Sequence, residues 1–145
     1  MNRSILVTVT LLVALVSGHA AAENALARMH DPEGNSVGTV ELRSSPFGTL
    51  LHLRLAFMPQ GAHAFHVHET GECVPPFTSA GGHFNPDGSD HGLMDDDGRH
   101  VGDMPNLHVP ASGMVHIEVF NDLLRLDELL FDDDGAARSE ERRVG

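Results

Sequence analysis

From residue 25 onward the apolar positions recur with a period of two, the pattern of strands whose successive side chains point to opposite faces. Val37 to Arg43 reads as one strand, entered from the turn Asp31-Pro32-Glu33-Gly34-Asn35 and left through Ser45-Pro46-Phe47-Gly48. Leu51, Leu53, Leu55 and Phe57 alternate with His52, Arg54 and Ala56, which predicts a strand with one buried and one wetter face. Pro59-Gln60-Gly61 then turns the chain into a further strand over Ala62 to Glu69. Residues 70–113 carry eight Gly and five Pro without a sustained period, so a long structured loop is expected there. Loops of that length are usually functional or disordered. Val115, Ile117 and Val119 restore the alternation, with His116 and Glu118 on the polar face. Asp95–Asp97 and Asp132–Asp134 read as acidic turns, and no internal repeat is evident. Short strands separated by turns predict an all-β antiparallel sandwich or barrel.

The first 22 residues break this pattern. Arg3 is their only charge, Ile5 to Val16 is an apolar run broken only by Thr8 and Thr10, and Ala20-Ala21-Ala22 offers the small residues of a cleavage site. This is the layout of a secretory signal peptide, and the run falls short of the roughly 20 residues needed to span a bilayer. Residues 1–22 are therefore expected to be removed, with the mature chain periplasmic or otherwise exported and not membrane-bound. In that oxidising setting a lone Cys is odd, and Cys73 has no partner in the chain.

Composition narrows the functional classes. The chain of 145 residues has a formal net charge of −12 and no Lys, which argues against nucleic acid and against anionic lipid. Histidine is the positive signal: seven of 11 (His63, His66, His68, His83, His91, His100 and His108) fall between residues 63 and 108. Imidazole is the commonest metal ligand.

Within Ala64-Phe65-His66-Val67-His68, alternation places His66 and His68 on one face and turns Phe65 and Val67 to the core. His63 has the opposite parity, and an outer-shell role, holding backbone through a ring N–H, suits it better than ligation. His83, His91, His100 and Asp103 follow, three imidazoles and one carboxylate that can close a tetrahedral Zn²⁺ site. Gly81-Gly82 and Gly102 would let backbone approach that site closely. His30, His52, His108 and His116 read as solvated surface, and Met58, Met94, Met104 and Met114 are too scattered for a copper-binding cluster.

These residues carry a resemblance. GAHAFHVHE from Gly61, GEC ending at Cys73, SAGGHFNP from Ser79, His91-Gly92 and HVGDMPN from His100 resemble the copper/zinc superoxide dismutase family, in its bacterial exported branch, from about residue 25 to Ala137. The resemblance implies a Greek-key β-sandwich or barrel with long metal-binding loops. It also implies copper on His66, His68 and His83, zinc on His83, His91, His100 and Asp103, and an outer-shell role for His63 behind the ligands. Superoxide would be the small-molecule substrate. Copper would cycle between two oxidation states, with His83 bridging the ions and giving its proton to the departing peroxide. Both a monomer and a homodimer stay open.

Three features of the family have no counterpart. These are a fourth copper His just after the Asp132–Asp134 turn, a loop with an anion-guiding Arg, and a second Cys to pair with Cys73. The chain instead runs Gly135-Ala136-Ala137 into RSEERRVG, where nothing reads as a strand or supplies an imidazole. The octapeptide can be reverse-translated as a sequencing-library adapter. The expectation is therefore an incomplete domain over residues 23–137, a non-native tail over 138–145, and impaired activity in this polypeptide. The alternative is a non-catalytic periplasmic zinc- or copper-binding module on the same scaffold. A hydrolytic zinc enzyme is disfavoured, since four protein ligands leave no open position for water.

Overall fold

A computed structural model describes residues 24–74, 76–96 and 98–130. The expected signal peptide over 1–22 and the tail over 138–145 lie outside these residues. Six strands form: β1 Asn24–His30, β2 Ser36–Ser45, β3 Gly48–Leu55, β4 Gly61–His63, β5 Leu107–Val109 and β6 Val115–Asn121. A 3-10 turn at Thr78–Ala80 and a short helix, α1, at Leu126–Leu130 complete the elements. The four-stranded antiparallel sheet runs β1-β2-β3-β6, so the chain leaves β3, builds the β4-β5 pair and its loops, and returns to β3's free side. This crossover belongs to the expected antiparallel β-sandwich class. Among the described residues no helix is long and apolar enough to cross a membrane.

Register explains the core. Ala27, Val40 and Leu53 lie in one row across β1, β2 and β3, and Leu42 lies beside Leu51 in the next. All five are at most 4% exposed. The row continues to Ile117 on β6, which is 40% exposed. Phe65, Val67, Phe84, Val101, Met104 and Leu107 join the same cluster from the β4-β5 side, so metal-loop residues share the core of the sheet.

Three sequence expectations are corrected. Phe57 does not continue the inward row of β3: the strand ends at Leu55, and Phe57 takes φ 62° with 87% of its surface exposed. Backbone bonds from Ala56 N to Val37 O and from Met58 N to Gly113 O redirect the chain at this point. The strand expected over Ala62 to Glu69 is interrupted, with β4 ending at His63 and isolated bridges resuming at His66 and His68. The expected loop contains β5, whose three residues are too few to show a period.

Candidate metal centre

The segment His66–His68 behaves as its alternation demands, with Phe65 and Val67 buried at 1% and 2% exposure and both imidazoles directed away from the core. Two arms of the long loop are fastened to its backbone. Val67 N donates to Gly102 O (2.9 Å), Gly102 N to Phe84 O (2.8 Å), and Phe84 N to Val67 O (2.7 Å). Bridges then pair His66 with Asp103 and His68 with His83. Gly102 is required by this knot, since a Cβ there would lie 2.2 Å from the Val67 carbonyl oxygen.

Asp103 is the hub. Its carboxylate, 2% exposed, has Oδ1 2.8 Å from His83 Nδ1, and Oδ2 3.0 Å from His91 Nδ1 and 3.5 Å from His100 Nδ1. One donor atom from each of His83, His91, His100 and Asp103 lies within 4.8 Å of the others. Gly92 N donates to Oδ2 at 3.0 Å. Burial opposes the charge on Asp103. The Gly92 N–H, the hydrogen bond from His83 and the charges of His91 and His100 outweigh it and hold the carboxyl at about 2. Three imidazole nitrogens around one carboxylate make a donor set with the composition of a closed zinc site.

On the opposite side of His83, the His66 ring stacks at a centroid distance of 3.9 Å and the His68 ring meets it edge-on at 5.2 Å. His68 Nδ1 bonds the Gly81 carbonyl at 3.2 Å, which leaves its other nitrogen for a ligand. His66 Nδ1, shielded from solvent, faces Asp103 Oδ1 at 3.2 Å. Burial and the neighbouring His83 hold the His66 imidazole below its ordinary value, against the pull of Asp103. His83, His91, His100 and Asp103 thus form a group that could hold a metal ion, and the rings of His66 and His68 gather against its His83.

His63 Nε2 bonds the Pro59 carbonyl at 2.7 Å, a contact that ties β4 to the preceding turn. Cys73 is a free, half-buried thiol among the described residues. The surface reading of His108 and His116 matches their exposure. That of His52 and His30 does not. His52 is 18% exposed with Nδ1 3.2 Å from Glu118 Oε1, and His30 Nδ1 is buried without a partner. Cross-strand cover at these positions comes from register, which a single strand's alternation does not contain.

Two supports escaped sequence reasoning. Asn121 ends β6 at 1% exposure, donates from Nδ2 to Val101 O (2.8 Å) and accepts from Leu123 N and Leu124 N at Oδ1 (both 3.0 Å). Arg99 donates to Asp103 O (2.9 Å) and to Asp122 Oδ1 (2.6 Å). Together they fasten the loop that carries His100 and Asp103 to the end of the large sheet. Their only sequence signal is an Asn and an Asp closing an apolar strand.

Comparison with known proteins follows this geometry. The family model described as copper/zinc superoxide dismutase (SODC) matches residues 36–137. The chain is 44% identical over 102 residues to superoxide dismutase [Cu-Zn] 2 of Aquifex aeolicus, covering 69% of this chain and 60% of that relative. It is 43% identical over 88 residues to the superoxide dismutase-like protein YojM of Bacillus subtilis, covering 59% of this chain and 45% of that protein. The chain thus spans less than two-thirds of either relative. Among solved structures, the Cu/Zn superoxide dismutase from Brucella abortus superposes with a TM-score of 0.66 at 27% identity, over 84% of this chain and 96% of that one.

Proposed function

The chain belongs to the copper/zinc superoxide dismutase family, and from that premise we propose that it dismutates superoxide. Two superoxide anions and two protons become dioxygen and hydrogen peroxide; His66, His68 and His83 would hold the copper, and His83, His91, His100 and Asp103 a structural zinc. The observation that carries this reading is the paired use of His83, its Nδ1 committed to Asp103 while its ring stacks on His66 and faces His68. Bound copper would supply one-electron redox chemistry, and bound zinc a fixed charge that orders the loop. His66 and His68 would hold copper from a segment whose backbone is fastened at Val67 to Phe84 and Gly102, which would keep the two rings in place. His83 Nε2, the ring nitrogen not engaged by Asp103, would carry a proton and deliver it to the departing peroxide. With a net charge of −12, the protein must attract the superoxide anion through local positive potential at the metals and nearby Arg. The pattern of residues 1–22 supports an exported, periplasmic setting for this chemistry.

A second reading is a zinc- or copper-binding module without redox turnover. Its support is the asymmetry of the donor sets: the zinc side is closed by four protein donors, whereas the copper side has three imidazoles among the described residues. Metal stoichiometry of the purified chain separates the two. One copper and one zinc, with copper reduced in proportion to added superoxide, supports the enzyme. One zinc without copper, or copper inert to superoxide, supports the module.

A further inference from the structure

His83 is the one residue claimed by both ions, so what fixes its backbone fixes their relation. Two glycines precede it, the most permissive backbone available, and Gly81 stands at φ +71°. Such a hinge does not hold an imidazole in one place by itself. Glu69, one residue beyond His68, supplies the restraint at Gly82 itself, between the bonds that hold Gly81 and Phe84 on either side. Its N–H donates to Gly82 O at 3.0 Å, and its Oε1 accepts from Gly82 N–H at 3.0 Å. Backbone and side chain of one residue thus grip both polar groups of the residue before His83. The carboxylate also lies across Gly81, where an added Cβ would come within 2.5 Å of Oε1 and 2.8 Å of Cγ. His68 grips the Gly81 carbonyl from the same strand end.

We propose that Glu69 is a positioning residue that locks the Gly81-Gly82 hinge and so sets the ring of His83 between the two metal positions. It touches neither metal set. The inference rests on the reading of His83 as a ligand and adds the group that orients it. An ionised carboxylate accepting a backbone N–H makes a stronger hydrogen bond than a neutral acceptor, although water competes with it at this exposed site. Gln keeps an oxygen at the same reach. Asp keeps the charge and loses the reach.

The test uses the full chain loaded with zinc alone, reading zinc affinity by chelator competition and the ring nitrogens of each His by NMR. Glu69→Leu and Glu69→Asp are expected to weaken zinc by about 10-fold or more, the usual cost of losing an outer support. They should also split or broaden the His83 ring signals while leaving those of His91 and His100 sharp. Glu69→Gln should restore a single His83 set and an affinity within about 3-fold of wild type, because the oxygen and its reach are kept. Wild-type affinity with one sharp His83 set in Glu69→Asp overturns the proposal, as does equal broadening of all three rings, which would mark general loosening. If Glu69→Leu does not fold, Glu69→Asp and Glu69→Gln decide the matter alone. Because no copper enters this measurement, a chain that fails to bind copper would remove the shared-ion reading without altering the result.

Discussion

Replacing Asp103 by Asn keeps the shape of the hub and deletes its charge. In the metal-free protein the folded carboxyl titrates at about 2 against an ordinary value of 3.8. At about 1.36 kcal/mol per pH unit, this difference corresponds to ~2.4 kcal/mol of stability. The sign is that of a depressed acid. The contribution is complete above the unfolded value near 3.8 and is lost as pH falls through about 2. Urea unfolding of metal-free wild type and Asp103→Asn at pH 5 and at pH 2 therefore isolates it, because every other titrating group is common to both. The gap between the two proteins should narrow by ~2 kcal/mol over that interval, because the folded carboxyl is still half ionised at pH 2. With zinc present, the variant should also bind at least about 100-fold more weakly, since the amide is a neutral and poorer ligand. A gap that stays constant between pH 5 and pH 2 would show that Asp103 does not gather the imidazoles through its charge, and the hub description would be wrong.

Three further substitutions probe separate supports. His91→Ala removes a donor whose side chain is 59% exposed, so zinc affinity should fall by about 100-fold while metal-free stability stays within about 0.5 kcal/mol of wild type, as chelator competition and urea melts would show. Gly102→Ala drives a methyl to 2.2 Å from Val67 O, backbone against backbone, and should cost about 3 kcal/mol in urea and weaken zinc, with unchanged stability refuting the close approach. Asn121→Ala strands the buried Val101 carbonyl and two N–H groups, an expected loss of about 3 kcal/mol in thermal or urea melts, and zinc affinity should drop with it because the loop is tethered there.

How much of this was legible beforehand depended on the range of the interaction. Alternation within one strand placed Leu51, Leu53 and Leu55 inside and turned His66 and His68 together, because side-chain direction in a strand is a local property. Phe57 was misplaced because the strand's end is decided by Val37 and Gly113, which bond its neighbours from other elements. The group His83, His91, His100 and Asp103 could be named from its chemistry and spacing alone. That Asp103 sits at their centre, and that His66 leans on it, follows from the pairing of two loop arms with one strand, which no spacing reveals. Asn121 and Arg99 were silent for the same reason, since Asn121 bonds a carbonyl 20 residues away and Arg99 ties the nearby Asp103 carbonyl to the Asp122 carboxylate, 23 residues from it.

The knot of Val67, Phe84 and Gly102 has a kinetic corollary. Three N–H groups separated widely in sequence close one ring of hydrogen bonds, and each occupies the carbonyl of another member. Breaking one bond frees a donor and an acceptor that only the remaining two could hold in place. The three amides should therefore exchange with solvent deuterium at a common rate, through one concerted opening that also scatters the donor set. Metal release from the folded protein can then proceed no faster than that opening allows, so a slow exchange rate at Gly102 would be a clock for how long the centre retains its ions.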